Sequence, residues 1–372
     1  MKQIKFIGLL VLAIVLSTFY RTNAQTSKQD LTEGASFAFP EMDIKIDSLR
    51  NKYDLPGIAV AVIRNDKLVY INCYGYQDSV TPVRNNNLFR IASISKPITV
   101  VALLKLMQEG ELSIDDKVFG ENSILGEDFG TLPLNGGWEK ITVRHLIEHK
   151  SGIHNVPNDP MFSYKGLTNK EIISSIIAER TLSSVPGEVV YYSNTGYNIL
   201  GRVIEKITGK AYDEYVKSEI LAPCGITNMK IGFNTFDLRF ADEVAYDQPD
   251  ERGWPYGMDV FRMDSHGGWL ASTADLARFI AHTDRVEAVS DILDKEWLKQ
   301  TYFGFERWNH TGSLPGTATM LMRINDEFSF VFLSNRRSRE KEFWQDISNT
   351  MQKAIESCKS WPDTDLFESI KW

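Results

Sequence analysis

Cysteine is scarce in this chain. Three thiols in 372 residues, Cys73, Cys224 and Cys358, are too few and too scattered for a disulfide framework or a zinc site. They read as small, inert hydrophobes, with a single bridge left open as the alternative for an exported chain. Positive charge is also short: 41 Lys and Arg face 49 Asp and Glu, a formal net charge of -8. With no basic face concentrated anywhere, that balance argues against nucleic acid or an anionic membrane surface as partner. No internal repeat or low-complexity tract breaks the chain. Long apolar runs are lacking too, apart from Phe6 to Leu16. That run is short of the ~20 residues needed to span a bilayer. It follows Lys2 and Lys5 and precedes Thr22-Asn23-Ala24, the order of a secretory signal at residues 1–24 cut after Ala24. A secreted or periplasmic location is expected from it; a retained anchor is the alternative, and no cysteine sits near the cut to carry a lipid.

What the chain does have is 43% hydrophobic and 24% charged residues, enough to bury a large core. After a polar lead-in over residues 25–40, LPGIAVAVIRNDKLVYINCYG reads as two strands around a turn at Arg64-Asn65-Asp66-Lys67. Ile98 to Met107 is apolar on nearly every side and stops at Gly110, the pattern of a helix buried all round. Thr168 with Glu171 forms a capping box ahead of four isoleucines, and Ser272 with Asp275 repeats it. Another helix runs from about Gly196 to a stop at Gly209. TATMLMRIN and FSFVFLSN flank Asp326-Glu327 as a hairpin, and a last helix carries Phe343, Ile347, Met351 and Ile355 on one face. Residues 243–269, rich in Pro, Gly and aromatics, resist assignment: a substrate wall and plain packing both stay open.

Strands near both ends with helices between them predict an α+β fold, an α/β/α sandwich. Its mainly antiparallel sheet is assembled from both termini and flanked by helices. The expected parts are a sheet domain over 41–110 and 266–358, a helical region with loops over 111–265, and a tail over 359–372.

In RIASISKPITV, Ser93 and Lys96 stand three apart at the start of the buried helix, so they share a face. A serine hydroxyl is a weak nucleophile until a base takes its proton. A lysine with its pKa lowered by apolar walls can be that base. The plain alternative is a capping serine with a lysine snorkelling outward. Spacing alone does not decide, because Ser338 and Lys341 repeat it amid charge. In PGEVVYYSNTGYNILG, Tyr192 and Asn194 stand just before a helix. A tyrosinate there would shuttle protons, and the amide would hold the lysine and a substrate carbonyl. Tyr70-Ile71-Asn72 has the same spacing inside a strand, where packing explains it. In NHTGSLPG, His310-Thr311-Gly312 precedes a strand; Gly312 would let a ligand lie against the backbone, with the Ser313 amide aimed at an oxyanion. His145 and His149, four apart on an expected helix, have a spacing that could bind zinc, but no glutamate completes the zinc-protease pattern.

In this order the three features resemble the serine beta-lactamase and penicillin-binding-protein superfamily, in its class C beta-lactamase-like branch. The resemblance spans roughly residues 47–336 and takes in ITVRHLIEHKSGI, the Pro-Gly before YYSNTGYNILG, and GGWLASTADLARF. It implies a beta-lactamase/transpeptidase-like fold with a cleft between sheet and helical region, and no metal or organic cofactor. It implies Ser93 as the acylated nucleophile, Lys96 as its base partner, Tyr192 as proton relay, and Asn194 as the amide orienting substrate and lysine. His310 and Gly312 match the third motif, and the backbone amides of Ser93 and Ser313 would form the oxyanion hole. One departure stands out. Dedicated beta-lactamases of this branch usually carry lysine where this chain has His310, and a histidine of ordinary pKa ~6.5 is a poorer anchor for a substrate carboxylate.

The expectation is therefore an exported serine hydrolase acting on a small-molecule or peptide substrate. It would cleave an amide or ester, whether D-amino-acid peptide, small ester or beta-lactam, through an acyl-enzyme on Ser93. The alternative is a slow or inactive penicillin-binding sensor on the same scaffold.

Overall fold

The computed structural model describes residues 39–249, 255–284, 289–299 and 307–369. The expected signal segment and nearly all of the polar lead-in lie outside these residues, as do 250–254 of the unassigned stretch. Among the described residues, no helix is long and apolar enough to cross a membrane.

The central strand explains the sheet. β1 (Gly57–Arg64) is buried along its whole length up to Ile63, so both of its edges and both of its faces need partners. One edge is filled by β2 (Lys67–Gly75) across a two-residue turn, with Asn65 and Asp66 both at positive φ as a tight hairpin of the right twist demands. The other edge takes β8 (Phe328–Ser334) from the far end of the chain, Val60 lying opposite Phe332. β7 (Thr317–Arg323) and β6 (Trp308–Leu314) continue outward, giving the antiparallel order β2-β1-β8-β7-β6. Sequence patterning had His310-Thr311-Gly312 preceding a strand; the three residues lie inside β6 instead. A polar triplet with a glycine has weak strand propensity, and its place at the sheet edge asks for pairing on one side only.

Period-two alternation then divides the core. Ile58, Val60 and Val62 face helices α1 (Pro40–Lys52) and α7 (Phe343–Ser357), which bring Met42, Ile46, Ile347 and Met351. Ala59, Ala61 and Ile63 face the opposite layer, which contains α2 (Ser95–Gln108) and α6 (Thr273–Ala281). The result is the expected α+β architecture, helices on both faces of an antiparallel sheet drawn from both ends of the chain. Every residue of α2 from Ser95 to Leu104 is buried, as its all-round apolar sequence required.

The intervening region holds α3 (Val143–Ile147), α4 (Asn169–Glu179) and α5 (Asn194–Thr208). The capping boxes at Thr168/Glu171 and Ser272/Asp275 both form, and α5 stops at Gly209 in the left-handed conformation. A small second sheet, β3 (Phe89–Arg90), β5 (Trp269–Ala271) and β4 (Lys230–Ile231) in that order, ties this region to the start of α2.

The stretch 243–269 resolves into two roles. Its first part packs: Arg90 is fully enclosed, its guanidinium 4.3 Å from the Tyr246 ring and its Nη1 donating to Pro255 O at 2.5 Å. Near its end, Met263, His266 and Gly267 border the cleft described below. Trp269 is core, donating its indole N–H to Tyr212 at 3.2 Å. The three cysteines are free; Cys73 and Cys224 are buried, and burial pushes the Cys224 thiol up to about 12. Cys358 is only half-buried.

Candidate active site

Ser93 sits on a one-turn 3-10 segment, Ala92–Ile94, between β3 and α2. Ala92 adopts φ 48, a left-handed conformation that costs a residue with a Cβ and persists only where its surroundings hold it. Ala92 is itself buried, so packing holds the turn on the side away from the cleft.

Lys96 lies in the first turn of α2 and is only 1% exposed. Its Nζ contacts three oxygens: Ser93 Oγ at 3.3 Å, Asn194 Oδ1 at 2.8 Å and His266 O at 2.7 Å. Burial dominates its titration and pushes the amine down to about 7, against an opposing pull from the Asp159 carboxylate. Snorkelling, the plain alternative, is therefore not what this lysine does. The sequence decoy behaves as its charged context suggested: Lys341 is exposed and Ser338 lies outside any helix. Tyr70 and Asn72, the other decoy, both donate to Asp43 and serve packing.

Tyr192 and Asn194 flank the cap of α5. Ser193 accepts a hydrogen bond from Gly196 N at 3.1 Å, which fixes the chain where it enters the helix and sets its two neighbours toward Lys96. The Tyr192 hydroxyl donates to Ser93 Oγ at 2.7 Å, and burial pushes it up to about 12, so it stands as a phenol at neutral pH, not the tyrosinate that the sequence suggested. The His149 ring packs on the Tyr192 ring at 4.6 Å, and its Nδ1 accepts from Ser193 N at 3.2 Å. Burial keeps that imidazole neutral, down to about 3.

His145 and His149 do not share a helix. His145 closes a capping box at the start of α3, whereas His149 lies past its end at φ 58. Among the described residues no group of three or more His, Cys, Asp or Glu could hold a metal ion.

The third motif faces Ser93 from β6, the edge strand. The His310 ring is pushed down to about 4 by burial and by the nearby Lys96, against a hydrogen bond with the Ser93 backbone. It is neutral at pH 7. Gly312 has a packing reason of its own. A Cβ there would stand 2.1 Å from Ile91 O and 2.3 Å from Thr319 Oγ1, so the glycine lets β6 approach the backbone leading into the Ser93 turn. Thr319 Oγ1 bridges this contact, 3.0 Å from Ile91 O and 3.2 Å from Gly312 O. Ser313 does border the cleft, and its Oγ accepts from Arg337 Nη1 at 3.1 Å.

These groups surround one cleft of about 500 Å³, lined by Ser93, Tyr192, Asn194, His310 and Ser313, with Phe162 on its apolar side. Two participants were not singled out from sequence: Asp159, whose Oδ2 accepts from Asn194 Nδ2 at 2.7 Å, and His266, which offers a main-chain carbonyl; His149 was weighed there only as half of a zinc pair, and its contact with Ser193 was not foreseen. Chemically, the arrangement sets a hydroxyl between a buried amine and a phenol at the edge of a sheet.

Comparison with known proteins agrees with this geometry. The Beta-lactamase family profile matches residues 42–352. Penicillin-binding protein 4* of Bacillus subtilis (strain 168) is 27% identical over 341 residues, 81% of this chain and 72% of its own length. Further curated relatives match about half of this chain and at most 41% of their own length. D-amino acid amidase from Ochrobactrum anthropi SV3, solved with L-phenylalanine amide, superposes with a TM-score of 0.69 at 20% identity, covering 86% of this chain and 100% of the amidase. A class C beta-lactamase superposes at 0.67 with 17% identity, over 86% and 96% of the two chains. At those identities the solved structures establish the fold. The family profile establishes more: this chain belongs to the Beta-lactamase family of serine hydrolases and penicillin-binding-like proteins.

Proposed function

We propose that this protein hydrolyses an amide or ester through an acyl-enzyme on Ser93, with Lys96 as the base for the serine and Tyr192 as the donor to the leaving group. The carrying observation is the set of partners around Lys96 Nζ. A neutral lysine has two N–H bonds and one lone pair. Asn194 Oδ1 and His266 O take the two hydrogens, so the lone pair is left facing Ser93 Oγ at 3.3 Å.

In this reading Ser93 Oγ attacks the carbonyl carbon while its proton passes to Lys96. The tetrahedral oxyanion is held by the backbone N–H groups of Ser93 and Ser313, each such donor being worth roughly 10²- to 10³-fold in rate. When the C–N or C–O bond breaks, the leaving group takes the Tyr192 proton, and the Lys96 ammonium restores it. Water then repeats the attack on the acyl ester with the same groups. The neutral His310 itself offers no fixed positive charge to a substrate carboxylate, which supports a small ester or an amide without a carboxylate beside the scissile bond over rapid penicillin hydrolysis. The names of the relatives, a penicillin-binding protein and a D-amino acid amidase, favour amide substrates.

A fluorescent penicillin and a fluorophosphonate, each with and without Ser93→Ala, test the proposal. Labelling that is lost in the variant, followed by release of the penicilloyl group and turnover of D-peptides or esters, is the expected result. Equal labelling of the variant would overturn it. Labelling without any release or turnover would favour the sensor alternative.

A further inference from the structure

We infer that Asp159 is a positioning residue for this site: its carboxylate fixes which way the Asn194 amide points, and so keeps the Lys96 lone pair directed at Ser93. The inference rests on the reading of Ser93 as nucleophile and deepens it.

The geometry is a relay. Asp159 Oδ2 accepts from Asn194 Nδ2 at 2.7 Å, and Asn194 Oδ1 accepts from Lys96 Nζ at 2.8 Å. Asp159 is itself held in place, since its Oδ1 accepts from Met161 N at 2.9 Å as the cap of a short helix. An amide can present either end to a neutral amine, because that amine both donates and accepts. Turned the other way, the Asn194 NH₂ would donate to the amine lone pair and take it from Ser93. A carboxylate accepts only, so it secures the Nδ2 end and excludes that state.

The same carboxylate acts on charge. Lys96 is faced by the rings of Tyr192 and Tyr197, by the imidazoles of His149, His266 and His310, which burial holds neutral, and by Asp159. Of these, Asp159 carries the full negative charge that favours the ammonium, the tyrosine rings adding only a weaker cation–π attraction. Neutralising it moves the titration of Lys96 to lower pH.

Asp159→Asn and Asp159→Ala are compared with the parent by hydrolysis of a neutral p-nitrophenyl ester across pH 5 to 9, with Ser93→Ala in parallel and thermal melts for folding. Asparagine also caps helices, so Asp159→Asn keeps the Met161 contact and the fold. The expected results are a plateau kcat/KM lower by roughly tenfold in Asp159→Asn and more in Asp159→Ala, with the acid limb of Asp159→Asn displaced downward by about half a pH unit or more. A folded Asp159→Asn with the parent's plateau and limb would overturn the inference. Activity surviving in Ser93→Ala would instead overturn the assignment of the nucleophile.

Discussion

Lys96 is both the proposed base and a burden on the fold. Its ordinary pKa is 10.5 and in the folded chain it stands at about 7. Below pH 7 the unfolded chain and the native site both bind the proton, and the native state carries the full cost of an enclosed ammonium, on the order of a few kcal/mol. Between 7 and 10.5 only the unfolded chain holds that proton, so stability rises with pH through this window. Activity has the same sign, because only the neutral amine accepts from Ser93. The kcat/KM for a neutral ester is expected to climb about tenfold per pH unit below 7, pass half its maximum at about 7 and level off above it. Tyr192, at about 12, imposes no fall before strongly alkaline pH. A bell with a second limb near neutrality would count against this assignment. Tyr192→Phe separates the two proton transfers. An amide needs a proton on its leaving nitrogen and a nitrophenolate does not, so the variant should lose ~10²- to 10⁴-fold on amides and much less on p-nitrophenyl esters.

At the scale of elements, the site depends on how closely β6 approaches the turn before α2, and Gly312 controls that distance. Gly312→Ala places a methyl 2.1 Å from Ile91 O, where backbone cannot yield cheaply. The strand must shift outward and carry Ser313 and its amide with it. An acylation rate lower by about 10²-fold or more, with a cooperative melt retained, is the expected outcome, read with a fluorophosphonate. Elements made by local rules were legible in the sequence. The capping boxes, the β1–β2 turn and the buried α2 each follow from residues a few places apart. What was hidden came from distance. Asp159 lies 35 residues from Asn194, His149 lies 44 from Ser193, and His266 lies 170 from Lys96 and acts through a carbonyl that any residue would supply. No residue-type pattern reports a main-chain acceptor, and β6 was obscured because its pairing strand excuses a weak sequence at the edge.

For the whole molecule, the pairing of β1 with β8 joins strands from near the two ends of the described chain and places the Ser93 turn and the third-motif strand on one scaffold. Strands at both ends of the sequence made that closure legible; the closeness of Arg90 to Tyr246, Glu243 and Pro255, which braces the approach to Ser93, was not, because it is formed across a stretch without periodicity. The sheet also separates stability from chemistry. Ile347 is fully buried between α7, α1 and the face carrying Val60 and Phe332, while α2 belongs to the layer on the opposite face. Ile347→Ala removes three methyl or methylene groups from a filled interior and should cost about 2–5 kcal/mol in urea unfolding. The rate of fluorophosphonate labelling per folded molecule should stay within about twofold of the parent, because among the described residues no contact of Ser93, Lys96 or Tyr192 passes through that face. A labelling rate that falls in proportion to the lost stability would mean that the far layer also sets the geometry of the cleft, and that the sheet transmits strain instead of isolating it.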